Sequence, residues 1–295
     1  MLNRLRHPAV RDLYWAINSS SLITTADLTH WQDDTSFFIQ HLSLLDKQPE
    51  PLIDWLSKGL PSHRPPRLGQ YFERLWHYYF HHHPSYQLIA HNLQIKSAEK
   101  ITLGELDLVV KDRQRDCVMH IELAVKFYLA LNHLFRAELT PFENIDAYIG
   151  PGLKDRLIDK YLHTFRHQLP LSSSPTVKTM GIHIDEVHAI FKGRLFQPWS
   201  NINSDQPIWL FQHQLKNLPD NLLYPTLARS EWFAPKYLSN PTISPINERL
   251  PLCLERPIQI AAIDRITKRE MKRLFVVPND WEDRAIKSIL PECTF

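Results

Sequence analysis

Acidic side chains lie where the sequence predicts strand interiors, and they give the clearest chemical signal in the chain. In the segment GELDLVV, alternation places Glu105 and Asp107 on one face of a predicted strand. In CVMHIELAVKF, His120, Glu122 and Lys126 lie opposite a wholly apolar face. Aspartate is depleted from strands, and an unpaired buried carboxylate costs several kcal/mol, so such residues need compensation. A divalent cation held by oxygen ligands would provide it.

A third acid, Glu73, belongs to the predicted helix LGQYFERLWHYYFHHH. It is three residues before Trp76 and seven before Phe80, at the flank of an aromatic helical face. If this helix packs on the sheet, three carboxylates converge, and their repulsion favours a bound metal ion or shifted pKa values. Spacing alone leaves an alternative open, in which the strand acids face solvent on a one-sided sheet and Glu73 is an exposed helix residue.

The order of the predicted elements that position these acids indicates an α/β core, with a helical segment before it and a mixed α+β extension after it. Hydrophobic periodicity predicts a largely helical region over residues 8–58. The core is predicted as the helix with Glu73, strands at 87–95, 101–111 and 117–127, a helix over 153–169 and a strand from about residue 176. We expect three parts, namely 1–64, 65–195 and 196–295.

Composition excludes several classes of function. The chain has only 7 glycines and contains neither GxxxxGK[ST] nor GxGxxG, so no nucleotide cofactor is expected. A net charge of +2 is not the basic excess of a strong nucleic-acid binder, so any such contact must come from local patches. Three widely spaced cysteines predict neither a zinc ribbon nor a disulfide framework. With no apolar run that predicts a signal peptide or a membrane span, we expect a cytoplasmic protein without a membrane partner.

Four strings carry a resemblance to a known group of proteins. LGQYFERL, TLGELDLVV, HIELAVKFYL and YIGPGLKDRLIDKYLHTFRHQL resemble a proteobacterial family of domains of unknown function, one that is similar to a branch of the PD-(D/E)XK (restriction endonuclease-like) nuclease superfamily. The resemblance covers about residues 65–195. The superfamily core runs helix, three strands, helix, strand, with a helix glutamate, a hairpin aspartate and an acid-x-lysine pair. Carried over by position, the three acids are Glu73, Asp107 and Glu122.

The resemblance implies a metal-dependent nuclease that hydrolyses phosphodiester bonds in nucleic acid. Asp107 and Glu122 would hold Mg²⁺ or Mn²⁺, Glu73 would assist at the metal, and Lys126 would orient water or stabilise the transition state. The alternative is a catalytically inactive module of nuclease fold that binds nucleic acid or a protein partner.

The lysine departs from the superfamily pattern. Glu122 and Lys126 share strand parity, yet they are four residues apart, which is about 13 Å of strand where acid-x-lysine spacing gives about 6.6 Å. Either Lys126 reaches back, or a bulge shortens the gap, or Ala124 marks a lost catalytic lysine.

Weaker signals surround this core. Arg156, Lys160, His163 and His167 recur as a basic stripe that could meet phosphate, although in isolation a solvated charged face is the more usual explanation. Gln168 shares the apolar side of the same predicted helix, so its amide is expected to point at the core, where the resemblance implies a place near the active site. Arg156, Lys160 and Gln168 are the residues we expect to contact nucleic acid. The histidine spacings lack HExxH, and a dedicated zinc site is not expected. The segment ITKREMKR (266–273) is predicted as a short helix with a second basic patch.

Overall fold

The chain divides into two compact units that are not contiguous in sequence. The computed structural model describes residues 1–24, 36–60, 66–199, 206–237 and 253–289. The first unit comprises residues 1–125 and 161–192, and the second comprises 126–160 and 193–295. The predicted boundary near residue 64 lies outside the described residues, and the three-part division stays a prediction.

Helices form the N-terminal part of the first unit. They are α1 (Pro8–Asn18), α2 (Ser36–Leu45), α3 (Glu50–Ser57) and α4 (Leu68–His82). In α4, Phe72, Leu75, Trp76 and Phe80 are buried at helical spacing, and Pro84 follows the last turn because proline cannot continue a helix. The predicted helical region over 8–58 therefore consists of three helices, with residues 25–35 outside the described chain.

Three long strands carry the acidic segments of the first unit. They are β1 (Tyr86–Lys96), β2 (Thr102–Asp112) and β3 (Cys117–Ala130), joined as antiparallel hairpins in the predicted order. The β2–β3 ladder runs from Asp112 paired with Cys117 to Leu108 paired with Ile121. The next residue on each strand is an acid, Asp107 on β2 and Glu122 on β3. The hairpin register thus brings the two acids to the same end of the ladder.

The segment after the predicted central helix differs from expectation. Helix α5 (Leu157–His163) is followed by a π-helical stretch (Thr164–Gln168), by α6 (Leu169–Leu171) and by α7 (Pro175–Thr179). The strand expected from residue 176 is wrong, because Ser174 caps α7 by accepting from the Val177 amide and Pro175 occupies its first turn. Strand β5 starts only at Glu186, where the adjoining Asp185 amide donates to the Val118 carbonyl of β3 over 2.8 Å.

The second unit contains a mixed sheet, and with the first unit it makes the chain a mixed α/β protein. Its strands are β4 (Tyr148–Ile149), the later part of β5 (Glu186–Pro198), β6 (Ile208–Phe211), β7 (Leu222–Leu223), β8 (Thr226–Leu227), β9 (Ile258–Asp264) and β10 (Glu270–Val277). β10 runs parallel to β6 and antiparallel to β9. Helix α8 (Trp281–Ile289) follows.

The helix predicted over the basic segment 266–273 is wrong. The segment forms the turn between β9 and β10 and the start of β10, because the Asp264 carboxylate accepts the amides of Ile266 and Thr267 and closes the turn. Ile266 is 89% exposed at this turn. Within the described part of the chain, no helix is both long and apolar enough to span a bilayer.

Candidate functional site

Glu122 is the most enclosed of the predicted acids, with 1% of its surface exposed. Its Oε1 accepts from His120 Nε2 at 2.8 Å, and its Oε2 accepts from the amide of Gln168. Because a carboxylate only accepts, the His120 proton is on Nε2. The His120 Nδ1 is then a buried acceptor, and no hydrogen-bond partner for it occurs among the described residues.

Gln168 is fixed in orientation by the π-helical stretch that carries it. The buried Thr164 hydroxyl donates to Gln168 Oε1 at 2.8 Å, so the amide nitrogen points at Glu122. The widened π turn brings residues 164 and 168 to this geometry, and such turns are frequent at functional sites. The inward direction predicted for Gln168 is therefore observed, although its contact with nucleic acid stays a prediction.

Asp107 is tied to the backbone of the neighbouring strand. Its Oδ2 accepts from the Leu123 amide at 2.8 Å, one residue beyond Glu122. The contact holds the Asp107 carboxylate against β3 where the ladder with β2 ends. Asp107 and Glu122 are thus brought to one end of the hairpin.

Asn92 interacts with both Glu73 and Glu105, an acid that was not predicted as a site residue. Its side-chain amide donates to Glu105 Oε1 at 3.0 Å and also hydrogen-bonds Glu73. Asn92 lies within β1 at a φ of 48°, a left-handed conformation that asparagine tolerates better than most residues. Burial raises the pKa of Glu73, and the nearby Glu105 and Glu122 carboxylates raise it further against the opposing effects of Asn92 and Arg74. Glu73 is consequently within electrostatic reach of Glu122.

Two histidine rings pack against each other beside this group. His77 lies one turn after Glu73 on α4, and its ring centroid is 4.4 Å from that of His91 on β1. Burial lowers the pKa of His77 to about 3, so its ring is neutral at pH 7. His77 is 7% exposed, and its Nε2 is buried without a hydrogen-bond partner in the described chain. His91 is exposed, and its Nδ1 lies 3.1 Å from Asn92 Oδ1.

Lys126 belongs to the second unit, where another acid engages it. Its ammonium donates to Asp155 Oδ2 at 2.7 Å, and the Tyr128 hydroxyl donates to the same oxygen at 3.1 Å. Arg156, also in the second unit, donates to the Asp146 carbonyl at 3.1 Å. The basic stripe was predicted to lie on one helix. Lys160 lies within α5, but Arg156 precedes its first residue.

The acids provide the donor type that a hard cation prefers, but they are not arranged as a finished metal centre. Among the described residues, no group of three or more His, Cys, Asp or Glu side chains is placed to hold a metal ion. Both Glu122 oxygens already accept hydrogen bonds, although each carboxylate oxygen has two lone pairs and can accept a second partner. That Asp107, Glu122 and Glu73 hold Mg²⁺ or Mn²⁺ stays a prediction. Cys117 and Cys253 are free thiols, and Cys293 lies outside the described residues.

Comparison with known proteins assigns the chain to a family. A family model described as a domain of unknown function, DUF1853, matches residues 11–277. The chain belongs to this family. No curated protein and no solved structure matches the DUF1853 chain. The match extends over residues from both units.

Four polar residues of the DUF1853 chain lie beside the predicted acids, and the sequence analysis did not predict them as site residues. They are His77, His91, Asn92 and Glu105. Asn92 carried a weak signal, because asparagine is unfavourable within a strand and tolerates left-handed backbone. His77 also carried one, as a polar residue four positions after Glu73 on an otherwise aromatic helix.

Proposed function

We propose that this protein is a metal-dependent, nuclease-like phosphodiesterase that acts on nucleic acid, with a restriction endonuclease-like core. The single observation that carries the proposal is the placement of Asp107 and Glu122. Hairpin register brings them to the same end of the β2–β3 ladder, one residue beyond the Leu108–Ile121 pair, and each accepts a defined hydrogen bond. The succession of α4, β1, β2, β3, α5 and β5 along the chain supports the same core.

The roles follow from the surroundings of each acid. Asp107 and Glu122 would hold the cation, and Glu73 would assist from α4. When bound, Mg²⁺ or Mn²⁺ supplies Lewis-acid stabilisation of the charge that develops on the phosphate. Glu73 is half-buried and its carboxylate is destabilised by the neighbouring Glu105 and Glu122, so added positive charge would favour its ionised form. Gln168 fixes the orientation of Glu122 and holds the carboxylate in place.

The test is cleavage of supercoiled plasmid, linear duplex, single-stranded DNA and RNA with Mg²⁺ or Mn²⁺. We expect cleavage by the wild-type protein and a loss of at least about 100-fold in Asp107→Asn, because a direct ligand should matter at least as much as the groups behind it. The matched control is Asp116→Asn at the other end of the same hairpin. Asp116 is 82% exposed and has a φ of 50°, which asparagine tolerates, so this variant should retain full activity. Full-rate cleavage by Asp107→Asn, or no cleavage of any substrate by wild type, would overturn the proposal.

The second candidate is an inactive module of the same fold that binds nucleic acid or a protein partner. It is favoured by the lysine, because Ala124 occupies the acid-x-lysine position and Lys126 is engaged by Asp155. Calorimetric titration with Mn²⁺ separates the candidates. A stoichiometric site that disappears in Glu122→Gln supports the enzyme, whereas nucleic-acid binding without metal binding supports the module.

A further inference from the structure

A continuous line of hydrogen bonds runs from an exposed imidazole to two carboxylates, all within the first unit. His91 Nδ1 contacts Asn92 Oδ1, and Asn92 Nδ2 donates to Glu105 Oε1 and hydrogen-bonds Glu73. Neither His91 nor Asn92 belongs to the acidic motif of the proposed function. Asn92 has a left-handed φ of 48° within β1.

The line fixes which nitrogen of His91 carries the proton. Carboxylates only accept, so the Asn92 group that contacts Glu105 and Glu73 is the NH₂, and its carbonyl oxygen points at His91. That oxygen also only accepts, so His91 Nδ1 is the donor. His91 Nε2 is therefore the unprotonated nitrogen of the neutral ring. An imidazole held in one tautomer by a polar partner, with the other nitrogen basic, is the arrangement that a general base requires.

Ionisable groups from two elements lie around His91. From α4, the His77 ring packs against it at a tilt of 34°, with Glu73 and Arg74 nearby in sequence, and from β2 it is linked to Glu105 through Asn92. His77 stays neutral because it is buried, so it adds no positive charge beneath the ring.

We propose that His91 is the general base of the phosphodiesterase, accepting the proton of the attacking water. This inference rests on the proposed function. It assigns the proton transfer to His91, because the Lys126 ammonium is engaged by Asp155. In the step, His91 Nε2 takes a proton from water as the water oxygen forms a bond to phosphorus. The bond from phosphorus to the leaving oxygen breaks, that oxygen keeps the electron pair, and solvent water protonates it. His91 returns its proton to solvent.

The test uses the full chain with Mn²⁺ and two probes, linear duplex DNA and bis(4-nitrophenyl) phosphate. The variant is His91→Asn, whose amide can still donate to Asn92 but which has no basic nitrogen. We expect kcat to fall by about 10²–10⁴-fold on both probes with Mn²⁺ affinity unchanged, and the acidic limb of the pH profile to disappear. Because the nitrophenolate leaves without protonation, an equal loss on that probe identifies a base and excludes an acid. The control is His183→Asn, whose ring is 90% exposed.

A second variant tests the line itself. Asn92→Gly keeps the left-handed backbone and removes the amide, so kcat should fall by roughly tenfold or more. Nitrogen-detected NMR of wild type should show His91 protonated at Nδ1, and this preference should be lost in Asn92→Gly. If Asp107→Asn is inactive while His91→Asn keeps wild-type kcat, the inference is wrong and the proposed function stands. If His91 is protonated at Nε2 in wild type, the inference also fails. If wild type hydrolyses neither probe, both fail.

Discussion

The neutral, buried His77, which packs against His91, makes the stability of the first unit sensitive to acid. The perturbation we develop is His77→Phe, which keeps an aromatic ring against His91 and removes the titrating group. Phenylalanine suits the position because His77 is buried and its Nε2 has no hydrogen-bond partner among the described residues. The variant therefore removes no described hydrogen bond at Nε2 and should fold.

The magnitude follows from the lowered pKa. Burial lowers the pKa of His77 from 6.5 to about 3, so between these values the unfolded chain binds a proton that the folded chain excludes. This contribution to stability is fully present above pH 6.5 and is lost as the pH falls, at about 1.4 kcal/mol per pH unit. From pH 7 to pH 5 the loss is roughly 2 kcal/mol, and down to pH 3 it reaches about 4 kcal/mol.

The assay is urea unfolding of wild type and His77→Phe at pH 7, 6 and 5, monitored by a signal from the first unit. The free energy of unfolding of wild type should fall relative to that of the variant by roughly 2 kcal/mol over this range, because the other titrating groups are common to both proteins. His81→Phe, an exposed histidine one turn further along α4, is the control and should show no such trend. A pH-independent difference between wild type and His77→Phe would refute the reasoning.

Two further predictions concern β5. Lys192 is 8% exposed and donates to the carbonyls of Ile17 and Ser19, and burial lowers its pKa to about 8. Between pH 8 and about 10.5 the unfolded chain therefore binds a proton that the folded chain has lost. In urea unfolding, the free energy of unfolding of wild type should rise by up to roughly 3 kcal/mol relative to that of Lys192→Met over this pH range. A difference between the two proteins that does not change with pH contradicts this. Gly193 has a φ of 141°, and a Cβ there would lie 1.7 Å from the Lys126 carbonyl oxygen, so Gly193→Ala should lower the free energy of unfolding by roughly 3 kcal/mol or more, and an unchanged thermal midpoint would contradict it.

The hairpins and the acid placement were accessible from sequence because both depend on local rules. The strand-like runs predicted the bounds of β1 and β2 to within one residue. Period-2 geometry and short connections fix the register of a hairpin, so no distant contact is needed.

Other features were not accessible because they depend on partners that are distant in sequence or on competition between local signals. Lys126 meets Asp155 across 29 residues, and Glu122 meets Gln168 across 46 residues. Near residue 176, β-branched residues suggested a strand, but the Ser174 and Pro175 start signal outweighed them and formed α7.

The interleaved composition of the two units constrains how the chain can be made and divided. The boundaries at 125/126 and 192/193 fall inside β3 and β5, so a cut at either position would sever a strand. A fragment that ends after Glu122 carries the carboxylate without the glutamine that orients it. During synthesis, the first unit has all its residues only once Lys192 has left the ribosome, by which time residues 126–160 of the second unit have already emerged. The acids of the candidate site are thus made early and acquire their complete surroundings late.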